Sequence, residues 1–130
     1  MTRARLLAIA AALLVSAACT DELTNPGSGS GTLMVQLTTP NGDDEALSFE
    51  ISGPVDSVSA AGSLQLFTRR LDRSTVLGAV IGPLDNGAIV TLHVPDTSAV
   101  AVYRVTVLEV ADHEDALRSS LAGYALNVSR

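Results

Sequence analysis

The sequence predicts an all-β fold, a single antiparallel β-sandwich, and three observations carry that prediction. Apolar and polar residues alternate with period two in short runs along residues 32–130, as in strands with one buried face. Clusters of Gly, Pro, Asn and Asp break these runs at roughly 8–12-residue intervals, the spacing of a sandwich. The 3.6-residue period of an amphipathic helix is mostly absent. Seven to nine short strands follow. A domain of about 100 residues buries roughly 60–70% of its unfolded surface, enough for a real core.

Leu33, Val35 and Leu37 alternate with Met34, Gln36 and Thr38 and end at Pro40-Asn41-Gly42-Asp43. Leu47, Phe49 and Ile51 alternate with Ser48, Glu50 and Ser52 and end at Gly53-Pro54. Val55 to Ala60 is a weaker strand. Leu64 and Leu66 share one face, Gln65 and Phe67 the other. Thr75 to Ile81 is apolar on both faces, as a central strand is. Pro83-Leu84-Asp85-Asn86-Gly87 is a turn, and Asn-Gly suits the positive φ of a tight hairpin. Val90, Leu92 and Val94 alternate with Ile89, Thr91 and His93 up to Pro95-Asp96. Tyr103, Val105 and Val107 alternate with Arg104, Thr106 and Leu108, and Tyr124, Leu126 and Val128 close the chain. His113 to Ala122 is the one helical competitor, with Ala116, Leu117 and Leu121 on one side.

Composition removes several functions. The chain has 8 basic and 14 acidic residues, a formal −6, and every basic residue is Arg. Without Lys there is no Schiff-base chemistry and no P-loop lysine. Intramolecular isopeptide crosslinks, which need Lys, are excluded as well. An acidic chain with 3% aromatics and no Trp lacks the basic stripe and stacking platforms of a nucleic-acid surface. One cysteine makes neither an intrachain disulfide nor a four-cysteine metal site.

The first residues read as an address. Arg3 and Arg5 give a positive start and Leu6 to Val15 an apolar stretch, too short to span a bilayer. Val15-Ser16-Ala17-Ala18-Cys19 resembles the bacterial lipoprotein signal, with Ser16 where that family most often has Leu. The resemblance implies cleavage after residue 18 and acylation of Cys19 as the new N-terminus, an anchor of two or more chains. Plain secretion is the alternative. Loss of residues 1–18 leaves six Arg against fourteen acids, a formal −8, so anionic headgroups repel the body. Residues 19–31 follow as the lipidated Cys and a Gly/Ser-rich tether, flexible and with a reach of roughly 20 Å. In the lipoprotein families an Asp after the cysteine often signals inner-membrane retention. Thr20 stands there, which favours the outer membrane if the cell has one.

The immunoglobulin hallmarks, a core Trp and a cysteine pair, are missing. From Gly87 to Arg130 the chain resembles the later strands of cohesin-like domains. The shared pattern is a Gly-led apolar strand, an acidic turn, a Tyr-containing strand and a short last strand. The likeness implies an Ig-like or cohesin-like sandwich and bears on fold rather than function.

Candidate sites are few. Asp112-His113-Glu114-Asp115 offers hard oxygen ligands, so Asp112, Glu114 and Asp115 are weak calcium candidates, without regular Asp-x-Asp-x-Asp-Gly spacing. Asp43-Asp44-Glu45 is similar, and the two loops could share an ion if the fold brought them together. Solvated acidic loops are the plain reading of both. His93 is expected to face solvent from a strand or to be hydrogen-bonded there. Arg69-Arg70 with Arg73 could grip an anion, or be the solvated end of a hairpin. No Gly-x-Ser-x-Gly elbow is present, and two histidines cannot form a three-histidine zinc site.

The expected function is therefore a lipid-anchored, extracytoplasmic, non-enzymatic module of the cell envelope, with no cofactor. It would act by protein–protein contact or envelope support, held to the membrane through Cys19. The alternative is a module that binds carbohydrate or a calcium-dependent partner.

Overall fold

The computed structural model describes residues 29–130; the expected signal, Cys19 and most of the tether lie outside the described residues. Eight strands form: β1 (Gly31–Thr38), β2 (Asp44–Ser52), β3 (Ser57–Ala60), β4 (Gln65–Asp72), β5 (Thr75–Leu84), β6 (Gly87–Val94), β7 (Arg104–Asp112) and β8 (Ala125–Ser129). They make two four-stranded antiparallel sheets, in the orders β3-β6-β1-β8 and β4-β5-β2-β7. The sheets pack as a β-sandwich, with edges in contact at β7–β8 and β3–β4. In sheet order each even strand thus lies opposite the odd strand before it in all four pairs: β1 faces β2, β3 faces β4, β5 faces β6 and β7 faces β8. The four connections within these pairs are arches, all at one end.

The opposite end holds the start of β1, the β2–β3 and β6–β7 crossings and the β4–β5 turn. Gly29 is fixed there, its carbonyl accepting the Thr97 N–H at 2.9 Å. Among the described residues, the β4–β5 connection is the one hairpin between consecutive strands in a sheet. This corrects the expectation at Asn86-Gly87. Gly87 does have a positive φ of 135°, but the turn lifts the chain from one sheet to the other instead of closing a hairpin.

The alternation places the core as expected. Leu33, Val35 and Leu37 from β1, Leu47, Phe49 and Ile51 from β2, and Val90, Leu92 and Val94 from β6 are all buried. Their removal from water, at about 25 cal/mol per Å², is the main force holding the sheets together. Irregular registers break the period where sequence alone shows none. Between Val35 and Gln36 the pairing with β6 slips, and Ile89 and Val90 both turn inward. At the start of β2 the register jumps between Asp44 and Ala46, so Asp44, not Glu45, enters the interior. The same irregularity admits Pro83 into β5, which continues to Leu84 past the expected turn start; a bulge tolerates a missing N–H.

His113 to Ala122 is not a helix. A ten-residue segment is too short to hold itself helical, and here Asp112 Oδ1 captures the N–H groups of Glu114 and Ala116 at 2.8 and 3.1 Å. Arg69 and Arg70 lie exposed in the last half of β4, leading into the β4–β5 hairpin turn that holds Arg73. Near that end, buried Tyr103 donates its hydroxyl to the Pro54 carbonyl at 2.5 Å. Gly53 (φ 129°) lies against the Tyr103 ring, where a Cβ would come within 2.6 Å of it. Burial, with Asp56 and Asp96 nearby, pushes the Tyr103 phenol up.

Candidate functional site

The two acidic loops do meet, and the cation between them is a side chain. After β7 the chain folds back on itself: Asp112 N–H donates to Ala116 O at 3.0 Å and Arg118 N–H to Val110 O at 2.8 Å. Asp115, at φ 65°, makes the reversal, and Leu117 pairs with Ala111. Alternation across this small hairpin sends Leu117 to the outer side of the sheet and Arg118 inward, toward Asp44.

Arg118 donates from Nε and Nη2 to Asp44 Oδ1 at 3.0 and 2.8 Å, and from Nη2 to Asp43 Oδ1 at 2.6 Å. Its Nη1 lies 3.9 Å from Asp112 Oδ2. Thr39 Oγ1 donates to Asp44 Oδ2 at 2.6 Å, and the Tyr124 hydroxyl lies 2.9 and 3.0 Å from the two Asp44 oxygens. Asn41 Nδ2 donates to Tyr124 at 2.7 Å, and Thr39 N–H donates to Asn86 Oδ1 at 2.8 Å. The network ties three of the four arches.

Burial of Asp44 opposes its ionisation, but the hydrogen bonds from Thr39, Arg118 and Tyr124 outweigh it. They hold the carboxyl below the usual range. The hydrogen bonds Arg118 donates to Asp44 and Asp43 raise its own pKa. The backbone N–H groups of Ala116 and Glu114 hold Asp112 low.

This arrangement can fasten loops. Of the weak calcium candidates, Asp112 is engaged by its own loop and Arg118, while Glu114 and Asp115 are exposed. Among the described residues, no three His, Cys, Asp or Glu side chains group to hold a metal ion. Ca²⁺ at roughly tens of millimolar, well above the affinities of extracellular modules, is expected to shift the melting midpoint no more than NaCl of matched ionic strength. Asp112→Asn with Asp115→Asn should leave that response unchanged. A calcium-specific rise abolished by the double change would restore the shared ion.

Arg70 is also occupied, donating to the Val55 carbonyl at 2.6 Å beside the β3–β4 edge. His93 is exposed, its Nε2 3.4 Å from Ser59 Oγ.

The feature the sequence reading missed is the outer face of the β4-β5-β2-β7 sheet. Register places Phe67 beside Ala79, Ser48 and Glu109. Gln65, Ile81, Ala46 and Ala111 form the next row, and Arg69, Leu77, Glu50 and Thr106 the row on the other side. Phe67, Ile81 and Leu117 are 58%, 43% and 64% exposed. Ile81 and Leu117 border a shallow trough floored by Ala46, Ala79 and Ala111. The other sheet turns Thr32, Gln36, Ser57, Ser59, Thr91, His93 and Asn127 outward, with Met34 the one large apolar residue among them. The signal was present in Thr75 to Ile81, apolar on both faces. That run reads as a strand covered on both sides, yet its outer side is open among the described residues. No family model, curated protein or solved structure matches the chain.

Proposed function

We propose that this chain is a lipid-anchored, extracytoplasmic module that works by protein–protein contact, without catalysis. The observation that carries the reading is the contrast between its outer faces: one polar, the other with exposed Phe67, Ile81 and Leu117 around Ala46, Ala79 and Ala111, interspersed with polar and charged residues. A contiguous apolar patch of this kind marks an interaction surface. The resemblance at Val15 to Cys19 supports an anchor in the cell envelope, in the outer membrane where the cell has one. The described N-terminus leaves the sandwich at the end opposite the arches, so a tethered domain would hold its arches away from the bilayer. The calcium version of the ligand-binding alternative drew on the two acidic loops, and the ion pairs of Arg118 with Asp43, Asp44 and Asp112 weigh against it.

Two measurements test the proposal. The wild-type chain should enter the detergent phase and take up labelled fatty acid, and Cys19→Ala should do neither; equal labelling would leave plain secretion. Phe67→Glu with Ile81→Glu should change stability little, as exposed substitutions do, while reducing the native mass of the complex it sediments with. An unchanged complex would remove the apolar face from the function.

A further inference from the structure

We infer that the occupant of this apolar face is a second copy of the same chain, packed sheet against sheet about a two-fold axis parallel to the strands. The inference rests on the docking role proposed above and names its partner.

Charge is the first argument. Arg69 stands on one edge strand of the face and Glu109 on the other, with Glu50 on β2 between them. None of the three has an ion-pair partner among the described residues. A cation at one edge and an anion at the other are self-complementary under a two-fold axis, as an isologous interface requires. An axis parallel to the strands lays β4 of one copy over β7 of the other. Arg69 then meets the row of Thr106, one strand from Glu50 and one residue pair, about 7 Å, from Glu109. The guanidinium can reach both acids.

Area and tether agree. Four strands about 4.8 Å apart and eight residues long make a face of roughly 500 Å², so two copies bury roughly 1,000 Å², the lower bound for a specific interface. The same axis keeps both copies pointing one way, so both tethers leave from the same end and reach one membrane. An axis across the strands would send them to opposite ends. The small residues Ala46, Ala79 and Ala111 let the sheets approach, and Phe67, Ile81 and Leu117 fill the gap between them.

The test uses the full chain in cells, as two differently tagged copies with a photo-crosslinking residue at Ala79. A crosslinked product carrying both tags is expected, and the same probe at Gln36, on the polar face, should give none. Arg69→Glu in both copies should reduce that product by about tenfold or more, and Glu109→Arg in both should do likewise. Arg69→Glu in one copy with Glu109→Arg in the other should restore it. A two-tag product indifferent to these exchanges would overturn the two-fold arrangement. Crosslinking from Ala79 only to another protein would overturn the second copy and leave the docking role. No product beyond that of Gln36 would overturn both.

Discussion

Asp44→Ala should destabilise the domain by about 3–5 kcal/mol, the cost of stripping one partner from a buried ion pair. At roughly 4–8 °C per kcal/mol for a domain of this size, the melting midpoint should fall by roughly 12–40 °C. The Asp44 side chain is 0% exposed, and its loss leaves Arg118, Thr39 and Tyr124 without their shared acceptor. Asp44→Asn keeps an acceptor oxygen but not the charge, so about half that loss is expected. The pH dependence follows from the direction of the shift. The Asp44 pKa lies lower in the folded state than its unfolded value near 3.9. Between the two values the unfolded chain binds more protons. The contribution is therefore present above about pH 5 and is lost as pH falls through 4 toward the depressed folded value. Asp72, Asp96 and Asp112 are lowered too, by hydrogen bonds within their own exposed turns, and leave a residual slope. Thermal melts from pH 3 to 7 check this: Asp44→Asn should flatten the acid limb. An acid limb equal to that of wild type would show that Asp44 is not the group being titrated.

The period-two alternation made the fold class and most of the core legible, because Leu33, Phe49, Val80 and Leu92 obey it without help from distant residues. What it could not show is where the period fails. Asp44 and Glu45 are indistinguishable in sequence, and only the register jump against β5 and β7 sends the first inward. Arg118 carried no local signal either, since its meaning depends on a reversal at Asp115 and a loop 74 residues away. The two acidic loops were visible as loops, but their meeting depends on all odd–even pairs arching at one end. Strand order decides that, and strand order is a long-range property. Thr75 to Ile81 was legible as an interior strand, and its two apolar faces were legible too. Which of them the second sheet covers was not.

Phe49→Ala should cost about 3–5 kcal/mol, a large share of the 5–15 kcal/mol typical of a whole domain. Gly78 is the reason the site has a distinctive second variant. Phe49 and Gly78 are opposed on neighbouring strands, and a Cβ at position 78 would overlap the Phe49 ring. The glycine is thus an inward position of β5 whose side-chain volume is supplied from β2. Gly78→Ala alone should destabilise by about 1–3 kcal/mol through overpacking, although alanine is the better strand residue on backbone entropy. Combined with Phe49→Ala, the added methyl enters space the ring has vacated. The double variant should then lose less than the two single losses together, by about 1–2 kcal/mol, a coupling expected of groups in direct contact. Denaturant midpoints for the four proteins close the cycle. Strict additivity would mean that ring and glycine do not share one volume and would place the Phe49 side chain elsewhere in the core.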